Sequence, residues 1–228
     1  MTTINVGQGF VRLDAAMADD MSVVNAARVS FARQTEGLEE LSSADKGLIN
    51  FLMRERHGTP FEHNAFRFHV KTPIFVAREW FRHRVGSFNE FSARYSEVPN
   101  EFFVPEDEDV RTQVGKPGNY SFEPVSEKLA SETVAMIESM NERAYEVYSH
   151  LVERGVAKEL ARVVLPVSMM TQFYWTVNAR SLMNFLSLRT ADAAQRDIRE
   201  YANAVLEVAR AQMPETFAAW EANGRVTP

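Results

Sequence analysis

The spacing of apolar residues predicts short β-strands at three places in the chain. Apolar and polar residues alternate over residues 10–14 and again at Phe66, Phe68 and Val70, as in a strand with one buried face. Residues 171–177 are rich in aromatic and β-branched side chains, which favours a third strand. Together with the helical patterns between them, these strands indicate a chain of mixed α and β structure.

Apolar residues three and four positions apart predict the helices. The predicted helices cover residues 21–31, 42–56, 73–85, 126–154, a short stretch before Pro166, 178–189 and 192–212. Ser42 with Asp45, and Asn178, are the predicted capping residues. The residues expected to face inward include Leu48, Phe51, Leu52, Leu160, Val163 and Val164 on these helices. The apolar stripe of the helix at 126–154, which includes Leu129 and Met140, is expected to lie in the core or at a subunit interface.

Residues 78–95 concentrate four arginines, one histidine and two glutamates among aromatic side chains. Pro73 suits the first position of a helix, and Gly86 is expected to end it, so that a polar loop follows. On this helix Arg78 and Arg82 would face each other, which costs about 0.2–0.5 kcal/mol unless an anion lies between them. A single arginine on a helix edge is more often solvated, but the cluster suits an anion that carries a flat ring.

Composition narrows the class of protein. The chain has 228 residues and a net charge of −6, which argues against broad nucleic-acid binding, since that requires a basic face. The sequence shows neither a signal-peptide pattern nor an apolar run of about 20 residues, so we expect a soluble, cytoplasmic protein with no membrane partner. Without repeats or low-complexity segments, one domain over residues 1–228 is the simplest expectation, with residues 101–124 as an exposed acidic loop.

The chain contains no cysteine, which excludes disulfides, thiolate metal ligands and a cysteine nucleophile. His57 and His63 are six residues apart across a turn that contains Gly58 and Pro60. This spacing does not place two imidazoles on one helix face, and we expect no metal site.

Three blocks of sequence resemble one enzyme family. Arg82, His83 and Arg84, followed after seven residues by Ser92, match the signature RHR-x7-S of the flavin-dependent thymidylate synthases. The string HGTPFEH from His57 to His63 is similar to a second block of that family. The strings ARVVLP and TVNARSLMNFLSLR, which end at Pro166 and Arg189, are similar to a third.

The resemblance implies a fold and a reaction. The family fold is a single α+β domain with a mainly antiparallel sheet and long helices, the thymidylate synthase-complementing fold, assembled as a homotetramer with shared active sites. The reaction is the reductive methylation of dUMP to dTMP. The folate 5,10-methylenetetrahydrofolate supplies the carbon, and FAD reduced by NADPH supplies the hydride. The better-known thymidylate synthases need a cysteine, which this chain lacks.

The resemblance also assigns site residues by position. The expected FAD-binding residues are Ser30, His57, Thr59, Glu62, Arg82, His83, Arg84, Glu90, Asn178, Arg180 and Asn184. The expected nucleotide-binding residues are Glu79, Arg82, Glu90, Ser92, Ala93, Arg94, Arg162 and Arg189. Arg189 is also the expected catalytic residue, because a guanidinium beside uracil can stabilise developing negative charge by about 3 kcal/mol. Ser92 is expected to bind the nucleotide, since no histidine or lysine stands near it in sequence to activate its hydroxyl.

Glu79 departs from the family pattern, because many members carry glutamine there. A carboxylate near the nucleotide phosphate would repel it, so pairing of Glu79 with Arg78 or Arg82 is an alternative. Two other functions stay open from the residues alone. One is a non-catalytic flavin or nucleotide-binding protein, which would not need Arg189 and His57 together. The other is a nucleic-acid-binding module.

Overall fold

The structure, a computed structural model, describes residues 2–31, 40–116 and 119–228. The strands are β1 (Thr3–Val6), β2 (Gly9–Met17), β3 (Ala65–Pro73), β4 (Ser87–Glu90), β5 (Arg111–Lys116), β6 (Asn119–Pro124) and β7 (Met170–Val177). The helices are α1 (Asp20–Arg28), α2 (Ser43–Arg54), α3 (Ile74–Trp80), α4 (Glu127–Glu153), α5 (Lys158–Ala161), α6 (Ala179–Arg189), α7 (Arg196–Gln212) and α8 (Pro214–Ala222). Within these ranges, no helix is long and apolar enough to cross a membrane.

A five-stranded sheet has the order β1-β2-β3-β7-β4, and the pairs β1 with β2, β2 with β3, and β4 with β7 are antiparallel. The alternation that predicted strands is visible in its burial, because Val11, Phe68, Val70 and Trp175 are fully buried. The three predicted strands are confirmed, as is the α+β class with a mainly antiparallel sheet. Strand β1 and helix α8 were not predicted.

The described residues form two compact units. The first comprises Met1–Lys71, Arg78–Glu90 and Gln172–Pro228, and the second comprises Thr72–Ala77 and Phe91–Thr171. That the chain acts as one family domain stays a prediction.

In the first unit, helix α7 packs on β1 and β2, and α6 packs on α7. An aromatic cluster forms the core beside the sheet. Trp80 stacks on Phe185 with ring centroids 4.7 Å apart and meets Trp175 and Phe173 edge-on at 5.4 Å. This cluster fixes the end of α3 against α6, and both elements carry predicted site residues.

The predicted capping residues of α2 and α6 are confirmed. Ser42 and Asp45 form a reciprocal capping box, in which the Ser42 amide donates to Asp45 Oδ2 at 2.8 Å and the Asp45 amide donates to Ser42 Oγ at 3.2 Å. The hydrogen bond from the Ser42 side chain lowers the pKa of Asp45, and the Arg28 guanidinium adds to this effect. Local side-chain chemistry therefore determined these helix starts, as the sequence predicted.

The helix at residues 73–85 ends earlier than predicted. Helix α3 stops at Trp80, and the amides of Arg82 and His83 bond to carbonyls three residues back, which closes a tight last turn. The predicted polar loop begins as strand β4, in which Phe88 lies opposite Trp175. Gly86 permits this pairing, because a Cβ there would lie 2.9 Å from Trp175 Nε1 and 3.0 Å from the Thr176 carbonyl oxygen. The glycine thus serves close approach to β7 and does not terminate the helix.

The second unit contains α4, α5 and the exposed antiparallel hairpin of β5 with β6. The hairpin replaces part of the loop predicted for residues 101–124. The core of the second unit includes Ala93, Val98, Tyr148, Ala161 and Met169. The Val98 amide donates to the Tyr148 hydroxyl oxygen at 2.9 Å, which satisfies the buried phenol.

At Leu129 and Met140 the predicted apolar stripe on α4 is exposed, with exposed fractions of 47% and 65%, so these two residues are not part of a core in the structure described. The buried face carries Asn141 and Tyr148 instead, and Asn141 Oδ1 accepts a hydrogen bond from Ser168 Oγ at 2.6 Å. The face of α4 that is buried therefore carries a hydrogen-bonded polar residue, and the spacing of apolar residues did not predict this face. Leu160, Val163 and Val164, which were predicted to face inward, are also exposed. That the α4 stripe meets another subunit stays a prediction.

Candidate active site

A cavity of about 550 Å³ in the first unit collects many of the residues that the sequence pointed to. We call it the arginine cavity. The predicted residues that line it are Glu62, Arg82, His83, Arg84, Asn178, Arg180, Asn184 and Arg189. These come from the turn before β3, the segment after α3, and helix α6.

A second cavity of about 850 Å³, which we call the His57 cavity, is lined by Ser30, His57 and Thr59. Arg180 lines both cavities, so they meet at its side chain. The structure therefore brings Arg82 to Arg84, the His57 to His63 block and the α6 part of the third block together within the first unit.

Helix α6 positions the residues of the arginine cavity. Asn178 Oδ1 accepts the Ser181 amide at 2.8 Å, and Asn64 Oδ1 accepts the Ala179 amide at 2.7 Å, so the first turn of the helix is fixed. The buried face holds Leu182, Met183, Phe185 and Leu186. Arg180 and Asn184 are consequently on the open face, one turn apart, and Arg189 is the last residue of the helix.

Arg180 is held from two sides. Its Nη1 donates to Glu62 Oε1 at 2.5 Å, and its Nε donates to Pro228 O at 2.8 Å. A Cβ on Gly58 would lie 2.5 Å from Arg180 Nε, so the absence of a side chain at residue 58 leaves room for the guanidinium.

Arg189 is held by the segment around the end of α3. Its Nε donates to His83 Nε2 at 3.0 Å, its Nη1 to Glu79 Oε2 at 3.1 Å, and its Nη2 to the Glu79 carbonyl oxygen at 3.4 Å. The alternative pairing of Glu79 with Arg78 or Arg82 is thus replaced by a pair with Arg189. The physical reason is the early end of α3, which leaves Glu79 in its last turn beside the C-terminus of α6.

His83 is neutral in this arrangement, since its Nε2 accepts a hydrogen bond from Arg189 Nε and the ring proton is therefore on Nδ1. Burial, and after it the Arg189 guanidinium, lowers the pKa of His83 from 6.5 to about 4.

The low pKa of His83 predicts a loss of stability in acid. Between pH 6.5 and about 4 the unfolded chain binds a proton at residue 83 that the folded chain does not, so the free energy of unfolding falls as the pH falls. We expect a loss of about 1–2 kcal/mol, allowing for the partial exposure of the ring. Urea unfolding of the protein and of His83→Gln at pH 7 and pH 4.5 measures it. The variant should lose less stability, and parallel losses in both proteins would contradict the assignment.

Some predicted residues lie elsewhere. Glu90 is an exposed residue of β4 in the first unit. The second unit carries Ser92, Ala93, Arg94 and Arg162. Among these, Ala93 is buried, and Arg94 lies 3.8 Å from Glu159 and over the ring of Tyr95 at 5.4 Å.

The prediction missed three apolar residues at the cavities. Val85 and Leu188 line the arginine cavity and are 70% and 56% exposed. Phe51, predicted to face inward, is 43% exposed, lines the His57 cavity and contacts the His57 ring edge-on at 5.8 Å. Leu188 lies one helical turn after Asn184 on the polar face of α6. An apolar residue at that position was the signal in the sequence that could have identified it as a cavity residue.

The arginine cavity thus combines guanidinium groups, amide groups and exposed apolar side chains. Charge-assisted hydrogen bonds from guanidinium bind phosphate, and Val85 and Leu188 offer contact to a planar ring. Among the residues described, no cluster of histidine and acidic side chains is arranged to hold a metal ion. The arrangement is therefore chemically suited to an anionic ligand with flat rings, such as a nucleotide or dinucleotide.

Comparisons with known proteins identify sequences similar to this chain over most of its length. The family model described as thymidylate synthase complementing protein matches residues 12–215. The flavin-dependent thymidylate synthase of Thermosipho africanus is 49% identical over 93% of this chain and 91% of that protein. The enzyme of the same name from Thermus thermophilus is 45% identical over 94% of this chain and 76% of that protein.

Solved structures are similar over almost the whole chain. The UMP/dUMP methylase PolB from Streptomyces cacaoi, bound with 5-Br UMP, has a TM-score of 0.89 at 43% identity and covers 96% of both chains. The same methylase bound with 5-Br dUMP has a TM-score of 0.87 at 42% identity, over 98% of this chain and 99% of that chain.

Proposed function

Because this chain belongs to the flavin-dependent thymidylate synthase family, we propose that it methylates dUMP to dTMP. In this proposal the carbon comes from 5,10-methylenetetrahydrofolate and the hydride from FAD that NADPH has reduced. The structures of a UMP/dUMP methylase among the similar proteins support dUMP as the substrate. The folate donor and NADPH are proposed from the family resemblance, and a cytoplasmic location is proposed from the sequence pattern.

The observation that carries the proposal is the placement of Arg189. C5 of uracil is a poor nucleophile, and it attacks more readily when N3 loses its proton or the ring carbonyl becomes enolate-like. A fixed guanidinium stabilises either charge without reorganising, which is worth about 3 kcal/mol for one such donor. Arg189 lines the arginine cavity and is fixed there by Glu79 and His83.

We propose that FAD binds in the two cavities, which have volumes of about 550 and 850 Å³ and are lined by guanidinium, amide and hydroxyl groups. Arg180 with Asn178 and Asn184 would provide hydrogen bonds to it from α6, while Arg84 and His83 would face it from the segment after α3. Ser30, His57 and Thr59 would bind it, or the folate beside it, in the His57 cavity. When bound, FAD supplies hydride chemistry, and these residues supply position and electrostatics.

The remaining assigned residues would bind dUMP. Arg82, Arg94 and Arg162 would make charge-assisted bonds to the phosphate, and Ser92 and the main chain of Ala93 would add neutral ones. Glu90 would accept hydrogen bonds at the flavin and nucleotide. We propose that these residues reach one site through a homotetramer in which several subunits contribute to each site.

An absorption spectrum tests the proposal. The purified protein should be yellow, and anaerobic NADPH should bleach its flavin, faster when dUMP is present. Adding methylenetetrahydrofolate with a labelled methylene group should then place the label in dTMP. A colourless protein that takes up no added FAD would contradict the proposal. A flavin that bleaches at one rate with or without dUMP, with no dTMP formed, would favour a non-catalytic flavin-binding protein.

A further inference from the structure

Glu79 provides two of the three hydrogen-bond acceptors that hold Arg189. The Glu79 carboxylate lies 3.1 Å from Arg189 Nη1, its carbonyl oxygen lies 3.4 Å from Nη2, and His83 occupies Nε. The side chains of Arg189 and Glu79 are 22% and 31% exposed, so this ion pair is more shielded from water than a pair on the surface. Residue 79 thus contacts the guanidinium through its main chain and its side chain.

These contacts leave a defined set of donors. Arginine has five N–H groups, and three are engaged, so two remain for a ligand, one on each terminal nitrogen. A guanidinium held at three points presents those two donors in one orientation. Without the Glu79 carboxylate, Arg189 would be held only by His83 and the Glu79 carbonyl oxygen, and its Nη1 would lose its partner.

Glu79 also changes the charge that a ligand meets. The pair of Arg189 with Glu79 has no net charge, and His83 beside it is neutral. An anion near Arg189 is therefore attracted less strongly than by an isolated guanidinium.

We propose that Glu79 is a positioning residue, which orients Arg189 for the reaction and weakens the binding of the nucleotide through its charge. This inference rests on the proposed function, and it replaces the expectation that Glu79 binds the nucleotide. The two roles differ in what they predict. Loss of a nucleotide contact would raise KM for dUMP, whereas loss of the positioning residue lowers kcat and leaves KM for dUMP unchanged or lower.

Two variants separate the effect of the Glu79 carboxylate as a hydrogen-bond acceptor from the effect of its negative charge. Glu79→Ala removes the carboxylate acceptor, and we expect kcat to fall about 10- to 100-fold, as for misplacement of a catalytic group by about 1 Å, with KM for dUMP unchanged or lower. Glu79→Gln keeps an acceptor oxygen at the same reach but no charge. It should retain kcat to within about 3-fold and bind dUMP several-fold tighter, since a repulsive charge is gone.

Glu200 offers a matched control, because it pairs with Arg196 at 2.9 Å on the surface of α7 in the same unit. Glu200→Ala should keep kcat and KM to within about 2-fold, as expected for an exposed pair. Thermal unfolding and flavin content of every variant show whether each is folded.

Several outcomes would overturn the proposal. A higher KM in Glu79→Ala with unchanged kcat would make Glu79 a nucleotide contact. A Glu79→Gln variant as slow as Glu79→Ala would show that the hydrogen bond does not position Arg189. If the unmodified protein forms no dTMP, the proposed function has failed separately. Calorimetric titration with dUMP then decides: tighter binding by Glu79→Gln than by the unmodified protein supports the charged pair, and equal binding contradicts it.

Discussion

Replacing Arg189 by alanine is expected to lower dTMP formation by about 10²-fold or more while the protein folds and binds flavin. Loss of one fixed donor to a developing negative charge typically costs this much in kcat. The fold should tolerate the change, because Arg189 is the last residue of α6 and lines a cavity rather than the apolar core. The expected cost to stability is about 1 kcal/mol, from the helix dipole and the pair with Glu79.

Single-turnover formation of labelled dTMP, with flavin content and thermal unfolding measured on the same sample, tests this expectation. Arg210→Ala is a matched control, since Arg210 lies in the last turn of α7 and pairs with Glu221 at the surface. The control should turn over like the unmodified protein. Near-native turnover by Arg189→Ala would eliminate the catalytic role.

The parts of the fold that the sequence predicted are those with local causes. Ser42 and Asn178 begin helices because their side chains bond amides three residues ahead, and β3 alternates because one face is buried. Gly86 misled the prediction, because its role depends on Trp175, which is distant in sequence. Leu129 misled it because the buried side of α4 is chosen by Asn141 and its partner Ser168.

The predictions for the site divide in the same way, into those with a local signal in the sequence and those that depend on contacts between distant residues. The short signature around Arg82 and the pattern on α6 identified most of the charged and amide residues that line the arginine cavity, but not Val85 or Leu188. The contact of Glu79 with Arg189 joins residues 110 positions apart, so neighbouring residues offered no signal for it. The sequence therefore predicted many of the polar residues that line the cavity, and the tertiary structure was needed to learn how they hold one another.

The second large effect is expected at Gly58, which lies beside Arg180. Its φ of −72° is open to any residue, so the backbone does not require glycine there. A Cβ would lie 2.5 Å from Arg180 Nε, 2.7 Å from Arg180 Cζ and 2.9 Å from Pro228 O. Gly58→Ala should therefore displace the Arg180 guanidinium from its position between the two cavities. Because a hydrogen bond to a charged group is worth about 1.5–3 kcal/mol, we expect FAD to bind about 10- to 100-fold more weakly.

Fluorescence titration of the flavin-free protein with FAD measures this change. Gly47→Ala is the control, because a Cβ there meets nothing within 4 Å and the residue lies inside α2. That substitution should leave FAD affinity unchanged and raise stability by about 1 kcal/mol, the difference between glycine and alanine in a helix. Equal FAD affinity in both variants would mean that Arg180 is not a flavin ligand. Weaker binding confined to Gly58→Ala would place the flavin beside Arg180, where the two cavities meet.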